Sequence, residues 1–153
     1  MMKCGRLLLA ATLLPLLSAA DKECPWLNAG TAAGVMGGAA KANVTQGACE
    51  FVRRDGSLES TLRIEVETLR TPGEFASRAA QCGSGAEALR AIGNQALACT
   101  YSGKKGQLAE QVVGRVRNQA FLVRVGSDDP SATAAGLREK ARKIAEQVAG
   151  SLF

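Results

Sequence analysis

Ser60-Thr61-Leu62-Arg63-Ile64-Glu65-Val66-Glu67-Thr68 places Leu62, Ile64 and Val66 on one side of an extended chain and Arg63, Glu65 and Glu67 on the other. A period of two over this length is the pattern of a half-buried strand, and one wet face argues for antiparallel neighbours. Upstream, Ala48 to Val52 reads as its hairpin partner, with Cys49 and Phe51 on one face and a turn over Arg53 to Gly56. Further upstream, Asn28 is a good helix N-cap. Val35 and Met36 give the helix an apolar edge, and Gly37-Gly38 stops it.

Downstream, Thr71-Pro72-Gly73-Glu74 carries a capping residue, a proline suited to the first helical position and an acid where a capping box wants one. The resulting helix lines up Phe75, Ala79 and Cys82 and ends at Gly83. Ser84-Gly85-Ala86-Glu87 repeats the box and predicts a second short helix through Leu89. Leu97 to Tyr101 is a strand. Gly103 to Gly106 is a turn, and Leu108 to Arg117 and Gln119 to Val125 are strands joined tightly around Asn118. Asp129 and Pro130 open the last helix, whose apolar stripe is Leu137, Ala141, Ile144, Val148 and Leu152. Glu139–Lys143 and Arg142–Glu146 are ion pairs four residues apart on its wet side. The expected fold is α+β: an antiparallel sheet of about five strands in two hairpin-containing halves, helices on one face, and a long C-terminal helix.

The start of the chain has a different character. Lys3 and Arg6 precede an apolar run from Leu7 to Leu17, and Ser18-Ala19-Ala20 then offers small residues to a signal peptidase. This three-part pattern predicts a secretory signal over residues 1–20, cleaved near Ala20, and a single mature domain over 21–153 that is periplasmic or secreted. Pro15 suits such a leader better than a membrane anchor. Charged Asp21-Lys22-Glu23 before Cys24 is unlike a lipidation site, and no later stretch is apolar enough to span a bilayer.

Cys4 leaves with the leader, and Cys24, Cys49, Cys82 and Cys99 remain. An even count in an exported chain reads as two disulfides, whereas zinc sites need close pairs that are absent here. Four cysteines allow three pairings. A shift of 50 residues overlays Ala48-Cys49-Glu50-Phe51 on Ala98-Cys99-Thr100-Tyr101, Gly56 on Gly106, Leu58 on Leu108, Leu62 on Val112 and Val66 on Val116, with the same inward parity throughout. If the two halves are related, each strand cysteine bonds the element preceding its own strand. That gives Cys24–Cys49 and Cys82–Cys99.

Three short motifs carry a resemblance. They are Cys24-Pro25-Trp26-Leu27 leading into a glycine-ended helix, Gly47-Ala48-Cys49-Glu50-Phe51, and Ala91-Ile92-Gly93-Asn94-Gln95-Ala96. In these the chain resembles small extracytoplasmic domains of actinobacterial cell-wall lipoproteins of unknown function and of the outer sensor domains of some serine/threonine kinases. The resemblance implies an α+β fold and a non-catalytic role at the cell envelope. It brings no ligand and no catalytic residues.

The residues themselves argue against turnover. There is no histidine, so the usual general base and the Ser-His-Asp and Cys-His arrangements are missing. Glu65 and Glu67 share a strand face with Arg63, as on any amphipathic strand, and Gly34 to Gly38 is not placed as a phosphate loop. No catalytic residue, metal ligand or cofactor is assigned. Loss of Lys3 and Arg6 leaves 17 basic and 14 acidic residues, a modest bias concentrated after residue 93. One Trp and one Tyr supply no stacking platform for single-stranded nucleic acid. Trp26 reads as a cap on the Cys24 disulfide and the core. Asn43-Val44-Thr45 is a formal glycosylation sequon. The candidate anionic-ligand face is Arg115, Arg117 and Arg124 on the second hairpin, with Lys104 and Lys105 at a nearby turn. Its partner would be an acidic glycan, a phospholipid headgroup or an acidic protein of the envelope or extracellular space. The other reading is an accessory or inhibitory subunit of another exported protein. The sequence leaves the oligomeric state open.

Overall fold

The computed structural model describes residues 22–103 and 106–153. The proposed leader, with Cys4, and the pair Lys104 and Lys105 lie outside the described residues. The elements are α1 (Ala29–Met36), β1 (Lys41–Thr45), β2 (Ala48–Asp55), β3 (Leu58–Thr68) and α2 (Pro72–Ala79). A kinked 3-10 segment, Ala80–Gly85, follows; then come β4 (Glu87–Leu89), β5 (Gln95–Thr100), β6 (Leu108–Val116), β7 (Gln119–Ser127) and α3 (Ala134–Ser151). All seven strands join one antiparallel sheet in the order β1-β2-β3-β7-β6-β5-β4.

The α+β class and the long C-terminal helix stand, but the sheet has seven strands rather than five. The two extra strands are its edges. β1 has little apolar alternation because only Val44 of its five residues is even partly buried. β4 was expected as a helix from its second capping box. Instead Glu87 pairs with Ala98, and its carboxylate accepts a hydrogen bond from Arg138 on α3 at 3.3 Å. Two further boundaries move. The expected Arg53–Gly56 turn begins later, because β2 runs to Asp55. The last helix is capped by Thr133, whose hydroxyl accepts from the Gly136 N–H at 3.1 Å. Asp129 instead closes a turn, accepting from the Ser131 N–H and hydroxyl at 2.8 and 2.7 Å.

The helices do not share one face of the sheet. α1 and α3 cover one side, where Leu27, Met36, Phe51, Leu62, Ile64, Val112, Phe121, Val123 and the α3 stripe form the main core. α2 and the 3-10 segment lie on the other side, over a smaller cluster of Leu69, Phe75, Cys82, Cys99, Val113 and Leu122. Alternate residues of the central strands therefore face two separate cores, so β6 and β7 read as nearly continuous apolar runs rather than alternating ones.

The disulfides are Cys24–Cys49 and Cys82–Cys99, the pairing expected from the repeat. The equal parity assumed for that repeat does not hold. Cys49 faces the main core with Leu62 and Ile64, whereas Cys99 faces the smaller cluster, away from Val112 and Val116. In the first hairpin Cys49 opposes Ile64, fifteen residues on; in the second Cys99 opposes Gln111, twelve on. An odd difference in register turns a strand over.

The main core is tight at Gly114, which lies across from Phe121. A Cβ built there would come within 2.1 Å of the Phe121 ring, and that ring is 1% exposed. Gly114→Ala is expected to destabilise the domain by about 2 kcal/mol through overpacking. Chemical denaturation is the check, and a Phe121→Leu background should relieve most of the loss.

Candidate functional site

α2 covers only part of its side of the sheet. On β2 and β3 that side carries Ala48, Glu50, Val52, Thr61, Arg63 and Glu65, and none of them is buried. Cα register sets one row across it: Glu50 on β2, Arg63 on β3, Arg124 on β7, Gln111 on β6 and Cys99 on β5. The outer end of the row is solvated, and its inner end meets the second disulfide.

Arg124 is held from two directions. Its Nε donates to Gln111 Oε1 at 3.0 Å, and its guanidinium carbon lies 4.0 Å from the centre of the Tyr101 ring. Gln111, 3% exposed, is fixed in turn: its Nε2 contacts Cys99 Sγ at 3.2 Å and Cys82 Sγ at 3.8 Å. Cation–π stacking and a single Nε bond orient the plane of the guanidinium without using its outer edge. Among the described residues, neither terminal nitrogen of Arg124 has a hydrogen-bond partner. Next to it, Arg63 Nε donates to Glu65 Oε1 at 2.6 Å. That bond raises the Arg63 pKa, and the charges of the Glu65 and Glu50 carboxylates add to the rise. Arg63 is thus a fixed cation already shared with a carboxylate.

The expected basic face is brought together only in part. Arg115 and Arg124 do share this side of the sheet, two rows apart. Arg115, however, turns under α2: its guanidinium lies 5.9 Å from the Phe75 ring, and its buried Nε has no hydrogen-bond partner among the described residues. Arg117 sits in the β6–β7 turn with φ +53°, its backbone N–H donating to Asn94 Oδ1 at 2.6 Å. Arg63, placed by sequence on an ordinary solvated face, is the neighbour that Arg124 has.

Glu65 and Glu67 are both engaged by arginine, Glu65 by Arg63 and Glu67 by Arg78. Trp26 is partly buried and packs with Cys24 against the main core. Sequence reading missed Glu110, which is fully buried and receives hydrogen bonds from Thr100 and Arg138. An acid inside the run Leu108 to Val116 was its only signal. A cavity of about 280 Å³ opens where α1 and α3 part, bordered by Arg53, Asp129 and Lys140. Arg53 spends its charge internally, donating to Asp55 at 2.8 Å and to the Met36 carbonyl at 3.5 Å. Asp129 is held below the usual carboxylate range by its bonds to Ser131.

Among the described residues no helix is long and apolar enough to cross a membrane, and no cluster of His, Cys, Asp or Glu could hold a metal ion. The two disulfides are compatible with a periplasmic or extracellular compartment. Neither a protein-family model nor a curated protein matches the chain.

Proposed function

We propose that this chain is an exported binding domain of the cell envelope or extracellular space, working by contact rather than turnover, with the uncovered half of its sheet as the contact surface. The observation that supports this most is Arg124. A guanidinium with its plane stacked and its Nε occupied, but its outer nitrogens unused, is already oriented to accept a carboxylate or phosphate in bidentate fashion. Lost side-chain entropy then costs little on binding. Arg63 beside it adds positive potential, and Glu50 and Glu65 restrict the approach of a bulky polyanion. The reading therefore favours a single anionic group on a larger molecule, such as a glycan carboxylate or a lipid phosphate.

Retention on agarose bearing isolated glucuronate groups and co-sedimentation with phosphatidylglycerol vesicles test it and separate the two sources of anion. Arg124→Gln is expected to weaken whichever interaction is found by about tenfold, the loss of one charge-assisted contact of about 1.4 kcal/mol. Arg117→Gln should leave it unchanged. Equal loss from both variants would reduce the interaction to net charge and overturn the assigned site. Isolation of one stoichiometric protein partner from an envelope extract, with no retention on either matrix, would favour an accessory subunit instead.

A further inference from the structure

The two edges of the sheet are treated differently. β4 is three residues long, and its Glu87 is tied to Arg138. β1 is five residues long, pairs with β2 in unbroken register from Lys41 to Thr45, and contains no proline. Its outer side is bare among the described residues. An open, regular edge is a template for another strand unless it is blunted, and β1 shows no bulge or inward-facing charge. Beside it, on the main-core side, lies a groove of about 650 Å³ floored by Leu27, Val44 and Phe51 and bordered by Lys22, Glu23 and Ala42.

We propose that β1 is the seam of a two-fold homodimer, in which the β1 strands of two copies pair antiparallel about Asn43 to make one continuous fourteen-stranded sheet. The symmetry follows from the sheet. A two-fold axis normal to it pairs residues of equal parity, so Asn43 meets its own copy, Ala42 meets Val44 of the partner, and Lys41 meets Thr45 of the partner. Lysine is the usual guard of an open edge, but here no like charges come opposite one another. Ala42 and Val44 lie on the side of the sheet that holds the groove, since they register with Phe51 and Cys49 of the main core. Pairing would carry that apolar row across the axis. The groove rim bears both Lys22 and Glu23, and a surface that must meet itself needs both signs. Five paired residues alone bury less than the roughly 1,200 Å² of a stable interface, and closure of the two grooves over the partner's Ala42 and Val44 supplies further area. The proposal stands independently of the anion-binding reading. It would, however, set two uncovered half-sheets side by side on one surface.

Sedimentation velocity of the disulfide-intact protein over a concentration series is expected to show a reversible dimer. Ala42→Asp, at an exposed position, should weaken it by about tenfold or more by setting a carboxylate against the partner's Val44. Ala88→Asp on the opposite edge should not. Asn43→Cys should cross-link to itself on mild oxidation. Near-ultraviolet dichroism verifies that each variant is folded. A monomer at every concentration, or a dimer indifferent to Ala42→Asp and without cross-linking at residue 43, would overturn the proposal.

Discussion

Arg138→Met is expected to lower the unfolding free energy by about 3–5 kcal/mol, the usual consequence of leaving a buried charge without its partner. Glu110 is 0% exposed, in the middle of the sheet and under α3. Its Oε2 accepts from Arg138 Nε at 2.9 Å and its Oε1 from the Thr100 hydroxyl at 2.9 Å. Removing the guanidinium leaves a carboxylate that one hydroxyl cannot satisfy. The same guanidinium reaches Glu87, but that residue's side chain is 59% exposed, so Glu87→Gln should cost under about 1 kcal/mol. The double variant Glu110→Leu/Arg138→Met should recover most of the loss, because replacing both members of a buried pair with apolar groups is often close to neutral. Denaturant unfolding of the wild type, Glu110→Leu, Arg138→Met and the double variant closes a thermodynamic cycle. A cost below 1 kcal/mol for Arg138→Met, or a double variant as unstable as the single, would show that Glu110 is not held by this pair.

That pair also marks where sequence reading ended. β3 was visible because Leu62, Ile64 and Val66 alternate with charged residues, and it alternates because the main core covers one of its faces while the other stays open. β6 and β7 are covered on both faces, so their inward and outward residues look alike, and nothing local reveals that α2 lies opposite α3. The edges failed for the converse reason, since β1 and β4 bury too little to impose a pattern. Cysteine pairing was accessible because it depended on the order of elements. The parity of the repeat was not, because it depended on the length of the Tyr101–Gln107 connection. At the candidate site Arg124 was legible as a strand residue facing outward. Its orientation comes from Gln111, thirteen residues away, and from the Tyr101 ring, and neither contact has a local signature.

The two disulfides should contribute similar amounts to global stability and different amounts to local order. Loops closed by 25 and 17 residues each restrict the unfolded chain by about 3 kcal/mol, a large share of the stability of a domain this size. Cys24→Ala/Cys49→Ala and Cys82→Ala/Cys99→Ala are both expected to lose about that much in denaturant unfolding. The first pair anchors the N-terminal segment to the large core shared by α1 and α3. The second joins the 3-10 segment to β5 over a much smaller cluster, in which Phe75 is the main anchor of α2. Without Cys82–Cys99, that small cluster and the part-exposed Arg78–Glu67 ion pair must hold α2 to the sheet. Amide exchange in Pro72–Gly85 should then accelerate well before global unfolding, while exchange in β3 and β7 tracks the global value. Gln111 loses both sulfur contacts in the same variant, which frees the side chain that orients Arg124. The Cys82/Cys99 variant should therefore bind anionic matrices more weakly than the Cys24/Cys49 variant under conditions where both are folded. Equal binding by the two, with exchange in Pro72–Gly85 unchanged, would show that the second disulfide has no part in shaping the open face.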